Sequence, residues 1–85
     1  MVAERHLDQD PRVGAALQEL RALIQARYPT ALFLTFPGDD PAGIYLQATV
    51  KIEDIDEVVD VIIDRLLAMQ VDEGLPVYVI PVRAA

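Results

Sequence analysis

Apolar residues recur with two different periods along the chain, and the order of these periods predicts the secondary structure. Between residues 13 and 24 they return every three or four positions, which predicts a helix with one buried face. Asp10 and Pro11 predict its start, because aspartate caps helix N-termini and proline is tolerated at the first helical position. Pro29 disfavours helical geometry at Tyr28 and therefore predicts the helix end.

Two strand patterns follow this helix. Residues 31–36 form a short apolar run that is rich in strand-forming side chains. Residues 44–52 alternate strictly, and their polar side carries Tyr45, Gln47, Thr49 and Lys51. Residues 37–43 contain proline, glycine and aspartate, which are typical of loops. We therefore expect an antiparallel hairpin with a longish turn, not the tight two-residue type.

A second helix is predicted from residue 55 to residue 67 by apolar residues at helical spacing. Asp54 at the N-cap and Glu57 three residues later match a capping box, in which each side chain bonds the backbone of the other residue. Gly74 predicts the end of the helical segment, because glycine readily adopts the left-handed conformation found after helices.

The last strand is predicted over residues 77–82, and Pro81 within it favours an edge position. The order α-β-β-α-β predicts an α+β fold, a two-layer α/β sandwich in which both helices cover one face of a three-stranded sheet. Residues 1–9 are expected to form a flexible N-terminal tail, and residues 10–85 a single domain, since so short a chain cannot build a second core.

The element order is similar to that of class II KH domains and BolA-like proteins, which have an extra helix or turn before the last strand. KH domains approach nucleotides with a Gly-x-x-Gly loop. Here Gly38 and Gly43 are separated by four residues, and the segment between them is acidic. The resemblance is therefore one of topology, and no functional residue is carried over from it.

The sheet face without helices is the candidate site. We expect the helices to cover the apolar alternate positions of the first strand, Leu32, Leu34 and Phe36. Phe33, Tyr45, Gln47 and Tyr78 then lie on the open face, whose projected area is on the order of 300 Å². They are the candidate interface residues, because tyrosine is enriched at protein interfaces. A solvated sheet face is the alternative, and base stacking on the aromatic rings would need basic surroundings.

Composition and charge narrow the choice of partner. Of the 85 residues, 53% are hydrophobic, which in so small a chain indicates apolar surface buried between subunits and predicts a homodimer. The net charge is −7, and residues 39–73 hold ten acids against Lys51 and Arg65. Nucleic acid is excluded as a partner by this charge, whereas a basic protein is compatible with it. No apolar stretch predicts a membrane span or a signal peptide, so the expected compartment is the cytoplasm.

The residues used most often for catalysis are scarce. The chain has no cysteine and no serine, and its single histidine, His6, lies in the predicted tail. The acids between residues 53 and 64 lack the spacing of a calcium loop and are explained by helix capping and solvation. We therefore predict no catalytic residue, no metal site and no cofactor.

The sequence predicts a small acidic protein that acts as a homo-oligomeric protein–protein interaction or regulatory module. The alternative is a small-molecule-binding sensor with a pocket between the sheet face and a neighbouring subunit. A third interpretation, an enzyme that uses carboxylates, has the least support because no activating partner is evident.

Overall fold

The computed structural model describes residues 11–39 and 42–84. Within these ranges the elements are α1 (Pro11–Arg27), β1 (Leu32–Asp39), β2 (Ala42–Val50), α2 (Asp56–Leu67) and β3 (Val77–Arg83). A π-helical turn, Ala68–Asp72, continues α2. The predicted α+β class and the order α-β-β-α-β are confirmed. The predicted tail, residues 1–9, lies outside the described residues.

The three strands form one mixed sheet in the order β1-β2-β3. The central strand β2 pairs antiparallel with β1 and parallel with β3. The parallel pair is connected through α2, as a crossover between parallel strands requires. β3 is an edge strand, which confirms the position that Pro81 predicted.

One apolar core joins the helices to the sheet. Four alternate side chains of β2, Ile44, Leu46, Ala48 and Val50, are buried in it. α1 contributes Leu20 and Ile24 to the same cluster, and α2 contributes Val58 and Ile62, among others. Since alternate residues of a strand share a face, both helices pack against the same face of the sheet.

The hairpin between β1 and β2 is tighter than predicted. β1 continues through Pro37 and Gly38 to Asp39, which pairs with Ala42. Only residues 40 and 41 separate the two strands, so the prediction of a longish turn is wrong. Proline and glycine at positions 37 and 38 suggested a loop, but the pairing of β1 with β2 includes both of them.

The start of α2 also differs from the prediction. The Asp54 carboxylate accepts a hydrogen bond from the N–H of Asp56, at 3.0 Å, and α2 begins there. The Glu57 carboxylate accepts a hydrogen bond from the Tyr28 hydroxyl at 3.3 Å. The reciprocal capping box is therefore wrong, because the side chain of Asp54 bonds a nearer amide. Gly74 has a φ of 65° just beyond the π-helical turn, as expected for the residue that ends a helical segment.

Candidate interaction surface

The pairing register decides which side chains lie on the sheet face away from the helices. Tyr45, Gln47 and Thr49 of β2 alternate with its buried residues and therefore point away from the core. Residues directly opposite each other on neighbouring strands share a face. The nine side chains that we call the outer face are Leu32, Leu34, Phe36, Tyr45, Gln47, Thr49, Tyr78, Ile80 and Val82.

The prediction for β1 is wrong, because its two faces are exchanged. Phe33 lies opposite Ala48 and packs against the core, with the Arg21 guanidinium 5.6 Å from its ring centroid. Leu32, Leu34 and Phe36, expected in the core, lie on the outer face. Five of the six residues 31–36 are apolar, so alternation alone could not distinguish the two faces of this strand.

The other three candidate residues lie on the outer face as predicted. Tyr45 and Tyr78 are direct neighbours, and Gln47 lies between Leu34 and Ile80. Their part in an interface stays a prediction. Leu32, Leu34 and Phe36 could have been assigned to this face if the sequence had been read with a two-residue connection, which pairs Asp39 with Ala42. That pairing puts even-numbered residues of β1 opposite odd-numbered residues of β2.

An aromatic row crosses all three strands at the hairpin end of the outer face. The Phe36 and Tyr45 rings stack with centroids 5.7 Å apart and an interplanar angle of 11°. The Tyr45 and Tyr78 centroids are 5.1 Å apart, with an angle of 32°. These distances lie in the range in which aromatic pairs attract. The row therefore presents a continuous aromatic surface.

Two glycines leave the space that these rings occupy. A Cβ at Gly38 would lie 2.4 Å from Cε1 of Tyr45, and one at Gly43 would lie 2.7 Å from Cε2 of Tyr78. The rings of Tyr45 and Tyr78 therefore lean over the paired glycines at the end of the hairpin. Larger residues at these two positions would displace the rings.

The remainder of the outer face is mainly aliphatic. Leu32 is 70% exposed and Leu34 is 58% exposed, whereas Phe36, Ile80 and Val82 are half-buried. None of the nine side chains is charged at neutral pH. In a chain with a net charge of −7, this face is thus neutral and largely apolar. Such a combination is characteristic of the centre of a protein interface.

The backbone orientation at the sheet edges follows from two hydrogen bonds. The N–H of Ile44 donates to the Pro76 carbonyl at 2.9 Å, and the N–H of Ala84 donates to the Val50 carbonyl at 2.8 Å. Even-numbered residues of β2 therefore direct their backbone groups to β3, and odd-numbered residues direct theirs to β1. It follows that the backbone N–H and C=O groups of odd-numbered residues in β1 and β3 point to the free edges of the sheet.

Both free edges are interrupted by proline. Pro37 in β1 and Pro81 in β3 occupy odd-numbered, edge-facing positions, so neither removes a hydrogen bond within the sheet. On β3 the carbonyl of Val77 also accepts a hydrogen bond from Nε2 of Gln70 at 2.8 Å. An incoming strand would find gaps on either side of the sheet, which is a known protection against strand addition.

Two neighbouring cavities lie near the carboxyl ends of β2 and β3, next to the basic side chains of Lys51 and Arg83. The first cavity, of about 360 Å³, adjoins the outer face and is lined by Lys51, Thr30, Leu32, Thr49 and Ala84. The other, of about 590 Å³, is lined by Lys51, Ile52, Glu53, Arg83 and Ala84. The small-molecule alternative stays a prediction, and the first cavity is where it would apply.

Two titratable groups on the helical side of the molecule have shifted pKa values. Hydrogen bonds from Arg65 hold the pKa of Glu19 below its usual value. Partial burial raises the pKa of Tyr28, and the nearby Glu57 carboxylate raises it further. Among the described residues no cluster of three potential metal ligands is found, and no helix in these ranges is long and apolar enough to cross a membrane.

Comparisons with protein-family models, with curated proteins and with solved structures found no match to this chain.

Proposed function

We propose that this protein is a self-associating protein–protein interaction module, and that its outer face binds the outer face of a second copy. The observation that carries this proposal is the uncovered, neutral and largely apolar face of the sheet, with Leu32 and Leu34 more than half exposed. Contact between two such faces would remove this apolar surface from water, which is favourable.

The charge distribution favours a second copy as the occupant. Two molecules with a net charge of −7 repel each other unless their acids are kept apart. Stacking the outer faces brings together uncharged side chains and leaves both helical layers on the outside. The acids of α2, including Asp60 and Asp64, then lie on the far sides of the two sheets.

The interrupted edges favour face-to-face stacking over strand pairing. Pro37 and Pro81 offer no N–H to an additional strand, and Gln70 already bonds the Val77 carbonyl. Stacking of faces is unaffected by these features. It also uses the same patch on both copies, so it ends at two subunits.

The size of the outer face predicts the strength of the association. Three strands of seven to nine residues give a projected area of about 400 Å². Standard interfaces bury about 800 Å² on each partner, so a contact of this size falls short of them and should be weak. We expect a dimer that dissociates on dilution at micromolar concentrations.

Sedimentation equilibrium between about 1 and 200 µM tests this proposal. We expect the parent chain to pass from monomer to dimer over this range. Leu34→Asp places a charge on the outer face, next to its central residue Gln47, and should leave a monomer at every concentration. Ala22→Asp introduces the same charge on the exposed side of α1 and should dimerise like the parent. A parent chain that stays monomeric, or a Leu34→Asp variant that dimerises unchanged, would refute the proposal.

A further inference from the structure

Exposed apolar side chains occur at a second place, on the helical side of the molecule. Four large hydrophobic residues of the described chain are exposed, and two of them, Leu32 and Leu34, belong to the outer face. The other two are Leu67, which is 48% exposed, and Val71, which is 75% exposed. They lie at the end of α2 and in the π-helical turn, so stacking of the outer faces cannot cover them.

These two residues extend a row along α2. Val59, Ile63 and Leu67 follow one another at a spacing of four, and Val71 comes four residues later. Residues at this spacing are neighbours along one side of an α-helix, and Val71 continues the row into the π-helical turn. The row is displaced by one residue, or about 100°, from the buried row of Val58, Ile62 and Leu66. We call Val59, Ile63, Leu67 and Val71 the α2 row.

A line of carboxylates runs beside the α2 row on its solvent side. Asp56, Asp60 and Asp64 are exposed and repeat at the same spacing of four. The only base in α2 is Arg65, which bonds Glu19 at 2.5 Å and Glu73 at 2.6 Å. The α2 row is therefore bounded on one side by the core and on the other by negative charge.

We propose that the α2 row is a second interaction surface, and that it binds an amphipathic helix of a partner protein with an apolar row flanked by lysine or arginine. The row favours a helix, because oblique rows of side chains on two helices interdigitate where the helices cross. From Val59 to Leu67 the row is about 12 Å long, or about two turns, and Val71 extends it into the π-helical turn. The carboxylate line would pair with the basic flank and set the orientation of the partner.

The same charges disfavour other occupants. A second copy at this surface would bring carboxylate lines together, which opposes association. An anionic membrane would be repelled, since surfaces of that kind attract basic segments. Because stacking of outer faces leaves α2 exposed, the proposal does not depend on dimerisation.

A titration with synthetic peptides tests the proposal on the full chain. The probe is a fluorescein-labelled helical peptide of about 18 residues, built from leucine at helical spacing and lysine elsewhere. The matched peptide has glutamate in place of every lysine. Fluorescence anisotropy is measured for the parent chain, for the double variant Leu67→Ser/Val71→Ser, for Asp60→Asn/Asp64→Asn, and for the control Ala22→Ser.

We expect the lysine peptide to bind the parent and the control equally, and the glutamate peptide to bind neither. The serine double variant should bind the lysine peptide about tenfold more weakly, and the asparagine double variant should lose most of the salt dependence. Both double variants should keep the sedimentation behaviour of the parent, so failure here is separable from failure of the dimer proposal. The inference would be overturned if the parent and the serine double variant bound the lysine peptide equally. It would also be overturned if Leu34→Ser abolished binding instead, or if the serine double variant dissociated the dimer.

Discussion

Gly43 occupies the most restricted position next to the outer face. A Cβ there would lie 2.4 Å from the Pro76 carbonyl oxygen, a backbone atom that cannot move independently of the sheet. At Gly38 the nearest atoms belong to the Tyr45 ring, which can rotate away. Gly14 of α1 has no atom within 4 Å of its Cβ position. Three glycines of one chain thus meet three different surroundings.

These surroundings predict the order of three alanine substitutions. Gly43→Ala should lower the free energy of unfolding by about 1–3 kcal/mol, because the added methyl group forces β2 and the start of β3 apart. Gly38→Ala should cost less and should disturb the Tyr45 ring. Gly14→Ala should raise stability by about 0.5–1 kcal/mol, as alanine does within a helix. Urea unfolding followed by circular dichroism measures all three, and equal stability of the Gly43 and Gly14 variants would contradict this ranking.

The extent to which the sequence predicts a residue's environment depends on its strand. In β2, strict alternation identified the buried residues and placed Tyr45 and Gln47 on the outer face correctly. In β1 both faces carry apolar side chains, so Phe33 could not be assigned without the pairing register. The register depends on the length of the hairpin connection. That length was predicted wrongly, because Pro37 and Gly38 are typical loop residues but belong to β1.

At the scale of elements, α1, α2 and the three strands follow from the period of their apolar residues. The π-helical turn after α2 does not, because its residues continue a helical pattern. There the side chain of Gln70 reaches the edge of β3 and bonds the Val77 carbonyl. Together with Pro37 and Pro81, this contact makes both edge strands poor templates for a further strand.

Replacing the edge prolines should allow association to continue beyond the dimer by pairing of edge strands. In the double variant Pro37→Thr/Pro81→Thr both edges regain an outward N–H, and threonine favours strands. We expect static light scattering to show species larger than dimers that grow with concentration. Pro29→Thr, at a position outside the sheet, serves as the control and should scatter like the parent. A double variant with the mass of the parent would show that the prolines do not limit association.

At the scale of the whole molecule, charge and apolar surface are separated. The outer face contains no charged residue, whereas α2 carries exposed acids and Arg65 joins α1 to α2 through Glu19. The separation could not be predicted from composition, because a net charge of −7 does not say on which side of the fold the acids lie. This separation is the basis of both proposals, a second copy at the outer face and a partner of opposite charge on the helical side.

The central claim is that the outer face contacts itself in the dimer, and isotope-filtered NMR on a mixture of labelled and unlabelled chains tests it most directly. The account predicts intermolecular nuclear Overhauser effects between the methyl groups of Leu32, Leu34 and Ile80 and the rings of Tyr45 and Tyr78 on the other copy. Intermolecular effects confined to Leu67 and Val71, or none at a concentration where the dimer predominates, would contradict it.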